Sequence, residues 1–259
     1  MCVIPEDFRW SFSSLSAYRH CPMMFKLTYI DRVERQDNAF SEFGTFCHKL
    51  LESYATDKLP LIALAEEYET GFDNAVRHFF PPFPKGMGQK YFDAGKKYFE
   101  EFEGFGEDWE ILAVEERFEL DIEGNKLVGI ADLVLRHKET GEIMVVDHKS
   151  KSAASMKKEL AVYQRQLYIY AMFVKEKWGV WPSVLRFNMF KEGYNIDEPF
   201  DPDRVDETRQ WVLDTIRQIR EEKDWKISSS SYFCRWVCSC IDHCPARDAV
   251  IYGGNKDNA

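Results

Sequence analysis

The chain has 259 residues, of which 45% are hydrophobic and 30% are charged, and its formal net charge is −10. This length and composition are typical of a globular protein with one large core. The negative charge argues against a protein that coats nucleic acid by bulk attraction, because neutralisation of phosphates drives such binding. The apolar runs are too short for a membrane span and no export signal is visible, so we expect a cytoplasmic protein that does not bind membranes.

The first helical segment predicted along the chain covers residues 11–30. Ser13 or Ser14 can begin it, because a serine side chain accepts hydrogen bonds from the free amide groups of a first turn. Cys21 and Pro22 interrupt the segment, since proline has no amide hydrogen with which to continue a helix.

A second helix is expected from about residue 41 to 54. Its periodicity places Gly44, His48, Leu51 and Ala55 along one stripe. A glycine one turn before the histidine would allow another backbone to approach closely. A single histidine on a helix is by itself more typical of a surface or core position than of a ligand.

The sequence of residues 60–105 predicts two or more helices around a loop rich in proline and glycine. It contains no chemical motif, and we expect a helical insert there. The strand expected from residue 111 to 122 alternates, with Val114, Glu116 and Phe118 on its apolar side. Glu116 is therefore the glutamate expected to turn inward. Its carboxylate either reaches water near the strand end or lies beside a metal ion.

Two apolar strands joined by a turn at Gly141 are expected within residues 129–149. Asp147 and Lys149 share one face of the second strand, and antiparallel pairing can bring Asp132 on the first strand close to Asp147. A carboxylate in a core is costly unless it is paired or binds a cation. These three side chains therefore form a candidate site for a hard divalent cation and a phosphate or an activated water.

A long helix is expected from about residue 156 to 178, and it places Gln166 and Tyr170 one turn apart on its surface. A strand at residues 184–190 and an amphipathic helix at residues 203–220 follow. The predicted order of elements is therefore helix, three antiparallel strands, helix and strand.

Four of the seven cysteines are crowded into eleven residues near the end of the chain. They are Cys234, Cys238, Cys240 and Cys244. In a chain without an export signal, clustered cysteines are more typical of metal ligands than of disulfides. Zinc and an iron-sulfur cluster both accept four thiolates, and the local sequence does not separate the two.

The motif formed by Asp132 and, fourteen intervening residues later, Asp147-His148-Lys149 resembles the signature of the PD-(D/E)XK nucleases. Gly129, before the first aspartate, is similar to the branch that contains the RecB and Cas4 nucleases. The resemblance covers most of the chain, and its motifs occur in the order typical of that branch.

The resemblance implies a restriction-endonuclease-like α/β fold, in which helices flank a mixed central sheet. With it we expect a single nuclease domain over residues 1–252, which includes the helical insert at 60–105. Residues 253–259 are expected to form a disordered tail.

The same resemblance implies roles for individual residues. The run from Phe43-Gly44 through His48 to Leu51-Glu52 matches a pattern whose histidine is a metal ligand, and Gln166 with Tyr170 matches a Q-x-x-x-Y motif. The implied ligands of Mg²⁺ or Mn²⁺ are His48, Asp132, Asp147 and the backbone carbonyl of His148. Lys149 would orient the attacking water or stabilise negative charge. The implied further contributors to the site are Glu116, Gln166 and Tyr170.

Iron-sulfur members of this branch, of the AddB type, hold a [4Fe-4S] cluster with one cysteine before the nuclease core and three after it. Cys21 matches the first ligand, and the spacing from Cys238 to Cys244 matches the last gap. The gap between Cys234 and Cys238 is one residue longer than in the family, and Cys240 is an additional thiol. The implied ligands are Cys21, Cys234, Cys244 and either Cys238 or Cys240, with Zn²⁺ as the alternative to the cluster. Residues 11–30 and 231–250 would then form a metal clamp.

We therefore expect a Mg²⁺- or Mn²⁺-dependent deoxyribonuclease, with exonuclease action favoured, in DNA recombination, repair or phage DNA processing. The alternative is a catalytically silent nucleic-acid-binding or assembly protein with a structural zinc or iron-sulfur site. The acids and the lysine argue against it, because a binding module needs no converging carboxylates. The DNA partner is either single- or double-stranded, and a helicase or recombination protein would have to be a separate partner.

Overall fold

The computed structural model describes residues 4–252, in which helices flank a mixed five-stranded sheet. The strands are β1 (Trp109–Ile122), β2 (Asn125–His137), β3 (Ile143–His148), β4 (Val184–Met189) and β5 (Tyr194–Pro199). The helices are α1 (Phe12–His20), α2 (Pro22–Phe25), α3 (Ala39–Ala55), α4 (Leu64–Ala75), α5 (Met87–Glu101), α6 (Ala153–Trp178), α7 (Asp203–Glu221), α8 (Ser231–Trp236) and α9 (Arg247–Tyr252). The expected disordered tail at 253–259 lies outside the described residues, as does Cys2.

The strands lie in chain order across the sheet, and β1, β2 and β3 are antiparallel neighbours. Helix α6 then crosses back over the sheet, so that β4 runs parallel to β3. Strand β5 adds an antiparallel edge that the sequence analysis did not predict. The order of the other elements is the predicted one, and the expected restriction-endonuclease-like α/β fold is confirmed.

The central strand β3 is buried on both faces. Its residues Ile143 and Val145 face the core shared with α6 and α7, whereas Met144 and Val146 face a second core that includes Ala55, the last residue of α3. This alternation follows from the period of two in a β-strand. Asp147 therefore points from a fully packed strand toward α6.

Helix α1 begins earlier than predicted. Ser11, and neither Ser13 nor Ser14, caps it: the Ser11 hydroxyl accepts a hydrogen bond from the Ser14 amide at 3.1 Å, and the Ser14 hydroxyl accepts one from the Ser11 amide at 3.0 Å. The reason is that Trp10 pairs with Leu127 of the sheet, so the chain has to turn at the next residue. As predicted, α1 ends before Cys21.

Helices α4 and α5 pack with α3 and form a third core with it. Phe43 and Tyr68 are among its buried aromatic residues, and Cys47 is fully buried within it. Residues 60–105 thus contain two α-helices, α4 and α5, and both contribute to the core that anchors α3. In the described part of the chain, none of the helices combines the length and the apolar character that crossing a membrane requires.

Two glycines allow close approaches beside the end of β3. A Cβ atom on Gly44 would lie 3.2 Å from the Ser150 hydroxyl, so α3 can lie close to the loop that follows β3. A Cβ atom on Gly129 would lie 2.4 Å from the ring of Phe118. That ring stacks on Phe173 of α6 at 4.8 Å between centroids, so it has little freedom to move.

We predict that Gly129→Ala destabilises the protein by about 1–3 kcal/mol, because the added methyl group would overpack the core against the Phe118 ring. Urea unfolding followed by circular dichroism measures this change. In a Phe118→Leu background the same substitution should cost clearly less, because the atoms that clash have been removed. Equal costs in both backgrounds would contradict this account of Gly129.

Candidate active site

Asp147 and Lys149 lie at the end of β3, where the chain leaves the core. The Asp147 side chain is only 1% exposed, and its Oδ2 atom lies 2.5 Å from the Lys149 Nζ atom. By distance this is an ion pair, yet within residues 4–252 Asp147 Oδ2 has no hydrogen bond of acceptable geometry. The two charges therefore attract each other, while the oxygen is not aligned to accept a hydrogen bond from the ammonium group. A buried carboxylate oxygen without a donor suits a cation ligand.

Asp132 lies beside Asp147 on the neighbouring strand. Leu133 of β2 pairs with Val146 of β3, so one step further along the antiparallel register Asp132 stands opposite Asp147. The Asp132 Oδ2 atom accepts a hydrogen bond from the His148 backbone amide at 2.8 Å. Burial and the Asp147 charge raise the pKa of Asp132 to about 7, although His48, Lys149 and that amide act in the opposite direction. Two carboxylates this close are stabilised together when a cation binds.

Helix α3 brings His48 to these acids. Its Nδ1 atom lies 3.7 Å from Asp132 Oδ2 and 3.9 Å from Glu115 Oε1, and its Nε2 atom lies 3.0 Å from the His148 carbonyl oxygen. Burial lowers the pKa of His48, but Glu115, Asp132 and Asp147 outweigh burial, so the pKa lies above its ordinary value. Ligand atoms of His48, Glu115 and Asp132 all lie within 4.8 Å of one another, which is a spacing that one metal ion can bridge.

The structure does not bring Glu116 to this group and places Glu115 there instead. The Glu116 carboxylate is hydrogen bonded to the Lys177 ammonium group on the other side of β1. The predicted alternation fails for two reasons: the register of β1 shifts between Ile111 and Ala113, and Glu115 has a left-handed backbone with a φ of 47°. A non-glycine residue in that region is strained, and such strain is often found at functional sites.

A chain of hydrogen bonds connects Lys149 to α6. The Lys149 ammonium donates to Gln166 Oε1 at 2.9 Å, and Gln166 Nε2 donates to the Tyr170 hydroxyl at 2.7 Å. Burial, together with the charges of Asp147 and Asp132, raises the pKa of Tyr170 well above its ordinary value, so this phenol keeps its proton. The two residues one turn apart on α6 thus fix the lysine beside Asp147.

His148 contributes through its backbone. Its imidazole points away from the acids, is buried, and lies with Nδ1 2.9 Å from the Asn188 amide nitrogen, which itself donates to the Tyr98 hydroxyl at 2.7 Å. Burial, with the charges of His48 and Lys149, lowers the pKa of His148 far below its ordinary value, so the ring is neutral. The amide and the carbonyl of the same residue face Asp132 and His48.

Comparison with known proteins places this site in a family. A family model described as the PD-(D/E)XK nuclease superfamily matches residues 9–248. The chain belongs to the PD-(D/E)XK nuclease superfamily. The matched range contains every residue of the site described above, and the superfamily expected from the sequence is confirmed. Membership of this superfamily implies a metal-dependent nuclease.

No curated protein matches the chain. Among solved structures 22 chains match, and one of them is the crystal structure of SSO0001. This chain is 14% identical to that protein, with 94% of this chain and 89% of that chain covered and a TM-score of 0.36.

The two ends of the nuclease chain meet in a second cluster of possible ligands. Five cysteines line one pocket there: Cys21, Cys234, Cys238, Cys240 and Cys244. Backbone hydrogen bonds join the end segments, with Met23 donating to the Lys226 carbonyl at 3.1 Å and Gln36 donating to the Ser239 carbonyl at 2.7 Å. Burial raises the pKa of Cys234, and the nearby thiols of Cys238, Cys21 and Cys244 raise it further.

We predict that Mn²⁺ raises the thermal unfolding midpoint of the wild-type nuclease by several degrees and that Asp132→Asn abolishes the shift. A ligand at a hundred times its dissociation constant stabilises a protein by about 2.7 kcal/mol, and each 1 kcal/mol corresponds to about 2–4 °C at this size. In EDTA, Asp132→Asn should be at least as stable as the wild type, because it removes one of two close buried charges.

Differential scanning fluorimetry with EDTA or Mn²⁺ measures both effects. Glu116→Gln is the matched control, since it removes a carboxylate that lies outside the site, and it should retain the Mn²⁺ shift. A full shift in Asp132→Asn would show that the ion binds elsewhere.

Proposed function

We propose that this protein is a Mg²⁺- or Mn²⁺-dependent deoxyribonuclease of the RecB/Cas4-like branch that acts as an exonuclease in DNA recombination, repair or phage DNA processing. The observation that carries the proposal is the buried carboxylate of Asp147, which lies beside Lys149 at the end of a packed strand, within a chain of this superfamily. A protein that only binds nucleic acid has no use for such a carboxylate. We further propose that residues 1–252 form one nuclease domain.

The donors at the site fit a divalent cation. We propose His48, Asp132, Asp147 and the His148 carbonyl as ligands, with Glu115 as the additional acid. Oxygen donors suit Mg²⁺ and Mn²⁺, and an imidazole among them favours Mn²⁺ more than Mg²⁺. When bound, the cation supplies a Lewis acid that makes a water molecule easier to deprotonate and offsets charge on the phosphate.

Side chains of the protein orient the groups that react. Lys149 is held between Asp147 and Gln166, so its ammonium group is fixed at the place where the phosphate would gain negative charge. Tyr170 fixes Gln166 in turn. In the hydrolysis the water oxygen bonds to phosphorus, the bond from phosphorus to the leaving oxygen breaks, and the leaving oxygen receives a proton.

We predict that Asp147→Asn and Lys149→Ala each lower the cleavage rate about a hundredfold or more, because each removes a charge that acts on the reacting phosphate. The assay uses end-labelled single- and double-stranded DNA together with circular single-stranded DNA, in Mg²⁺, Mn²⁺ or EDTA. Cleavage of linear but not circular DNA is expected of an exonuclease. Cleavage by Asp147→Asn at the wild-type rate would refute the proposed site.

The neighbouring glutamates offer a matched pair for the same assay. Glu115→Gln should weaken metal-dependent cleavage, whereas Glu116→Gln should leave it unchanged, because only Glu115 faces His48 and Asp132. If Glu116→Gln weakened cleavage and Glu115→Gln did not, Glu116 would belong to the site and Glu115 would not.

We also propose that the cysteine pocket holds a [4Fe-4S] cluster rather than zinc. Tetrahedral zinc with thiolate bonds of about 2.3 Å brings its sulfur atoms to roughly 3.8 Å from one another. In the described chain no three cysteine sulfurs lie within 4.8 Å of one another, although five cysteines line the pocket. The five thiols together are therefore spaced more widely than one tetrahedral zinc ion requires, although Cys238 Sγ and Cys240 Sγ lie 3.5 Å apart. The proposed ligands are Cys21, Cys234, Cys244 and either Cys238 or Cys240.

We predict that protein purified without oxygen is brown and contains iron and sulfide, and that Cys21→Ser loses both. The same change should lower the unfolding midpoint, because a cluster that joins Cys21 to Cys234 closes a loop of more than 200 residues. Cys47→Ala is the control that should keep its iron, since Cys47 is buried in the core of the helical insert. A colourless, folded protein with one zinc and no iron would exclude the cluster.

A further inference from the structure

A groove opens beside the candidate active site, and most of the residues that line it have no role assigned so far. It lies between β1 and β2 on one side and the start of α1 and the middle of α6 on the other. Gln166 and Tyr170 are among its lining residues. Because Gln166 accepts a hydrogen bond from Lys149, the groove reaches the side chain that holds the lysine.

The wall of the groove is apolar along most of its length. Phe12, Val128, Ile130 and Ile169 line it. Gly129 lines it too, and a side chain at that position would meet the Phe118 ring. A ligand in the groove would therefore contact apolar side chains and, at Gly129, the exposed backbone of β2. Such a surface suits the flat apolar face of a base and its sugar.

Positive charge gathers at the same groove. Arg9 and Arg117 line it, as does one acid, Glu119. Glu119 already faces two cations, since it lies 3.8 Å from Arg9 and 3.1 Å from Lys126. Arg117 is exposed and forms no ion pair within residues 4–252. Two arginines against one carboxylate line the groove and give it a local excess of positive charge, in a chain whose net charge is −10.

We propose that this groove binds an unpaired nucleotide next to the scissile phosphate, with its base and sugar on the apolar wall and its phosphate on Arg117 and Arg9. The proposal rests on the proposed nuclease function and specifies its substrate as a single-stranded segment of DNA. A paired base is stacked within a duplex and cannot lie against the wall of such a groove. An unpaired base can, and contact with its apolar face does not depend on its identity.

Binding is tested in the Asp147→Asn background, so that cleavage does not enter the measurement. The probe is a fluorescein-labelled single-stranded 12-mer, followed by anisotropy over a range of NaCl concentrations. Arg117→Ala and Arg9→Ala should each weaken binding about tenfold, as expected for a charge-assisted hydrogen bond. Each should also reduce the slope of log affinity against log salt by about 0.7, the value for one phosphate contact on a single strand.

The charge-matched control is Arg136→Ala, which should leave both quantities as in the background protein. Arg136 pairs with Glu110 and lies seven residues from Gly129 along β2, or roughly 23 Å.

A second variant tests the groove without a change of charge. Ser13 is exposed at its mouth, and Ser13→Trp should weaken binding while keeping the salt slope, because it narrows the opening.

The same measurement is made with a labelled duplex of the same length. The substitutions should weaken duplex binding much less than they weaken single-strand binding. Equal losses on single strand and duplex would overturn the unpaired nucleotide. Variants at Arg117, Arg9 and Ser13 that all bind like the Arg136 control would overturn the groove, even if the wild type cleaves DNA. If the wild type cleaves nothing but the groove variants lose single-strand binding, the groove stands and the nuclease proposal fails.

Discussion

The carboxylate of Asp147 is almost wholly removed from water, and this constraint determines what its neighbours have to be. All six residues of β3 are buried, so the strand cannot shift to bring the acid to the surface. An uncompensated charge there would cost several kcal/mol. The ammonium group of Lys149 compensates part of this negative charge, and the carboxylate of Asp132 on the neighbouring strand adds negative charge again. The remaining imbalance is the physical reason to expect a cation at this place.

Rigidity follows from the same packing. The residues around Asp147 come from four different elements, namely α3, β1, β2 and α6. Each element is anchored in a packed core: β1, β2 and α6 share one, and α3 packs mainly in another. Helix α3 is held by the helical insert, and α6 by the sheet. A catalytic group has to be held within a fraction of an ångström of its working position, and packed helices and strands hold it better than loops do. The helical insert thus helps to fix the position of His48 by packing against α3.

Regular elements made much of this site predictable. The period of two placed Asp147 and Lys149 on one face of β3, and the helical period placed His48 on a stripe with Gly44. Glu115 escaped prediction because the register shift in β1 and its own left-handed backbone break the alternation that the analysis relied on. The edge strand β5 was missed because its six residues are largely exposed and polar, so no apolar alternation marks it. Which thiols come together depends on contacts between distant segments, and local periodicity carries no information about those.

The hydrogen-bonded junction between the two ends of the described chain has a consequence for synthesis on the ribosome. Residues near Cys21 leave the ribosome well before their partners near Ser239. Every residue of the metal site lies between them, so the site can assemble on the emerging chain before the junction closes. Pairing of such distant segments is slow because the long loop has to be ordered first. During that interval the exposed thiols and the edges of the sheet depend on protection from the surrounding cell.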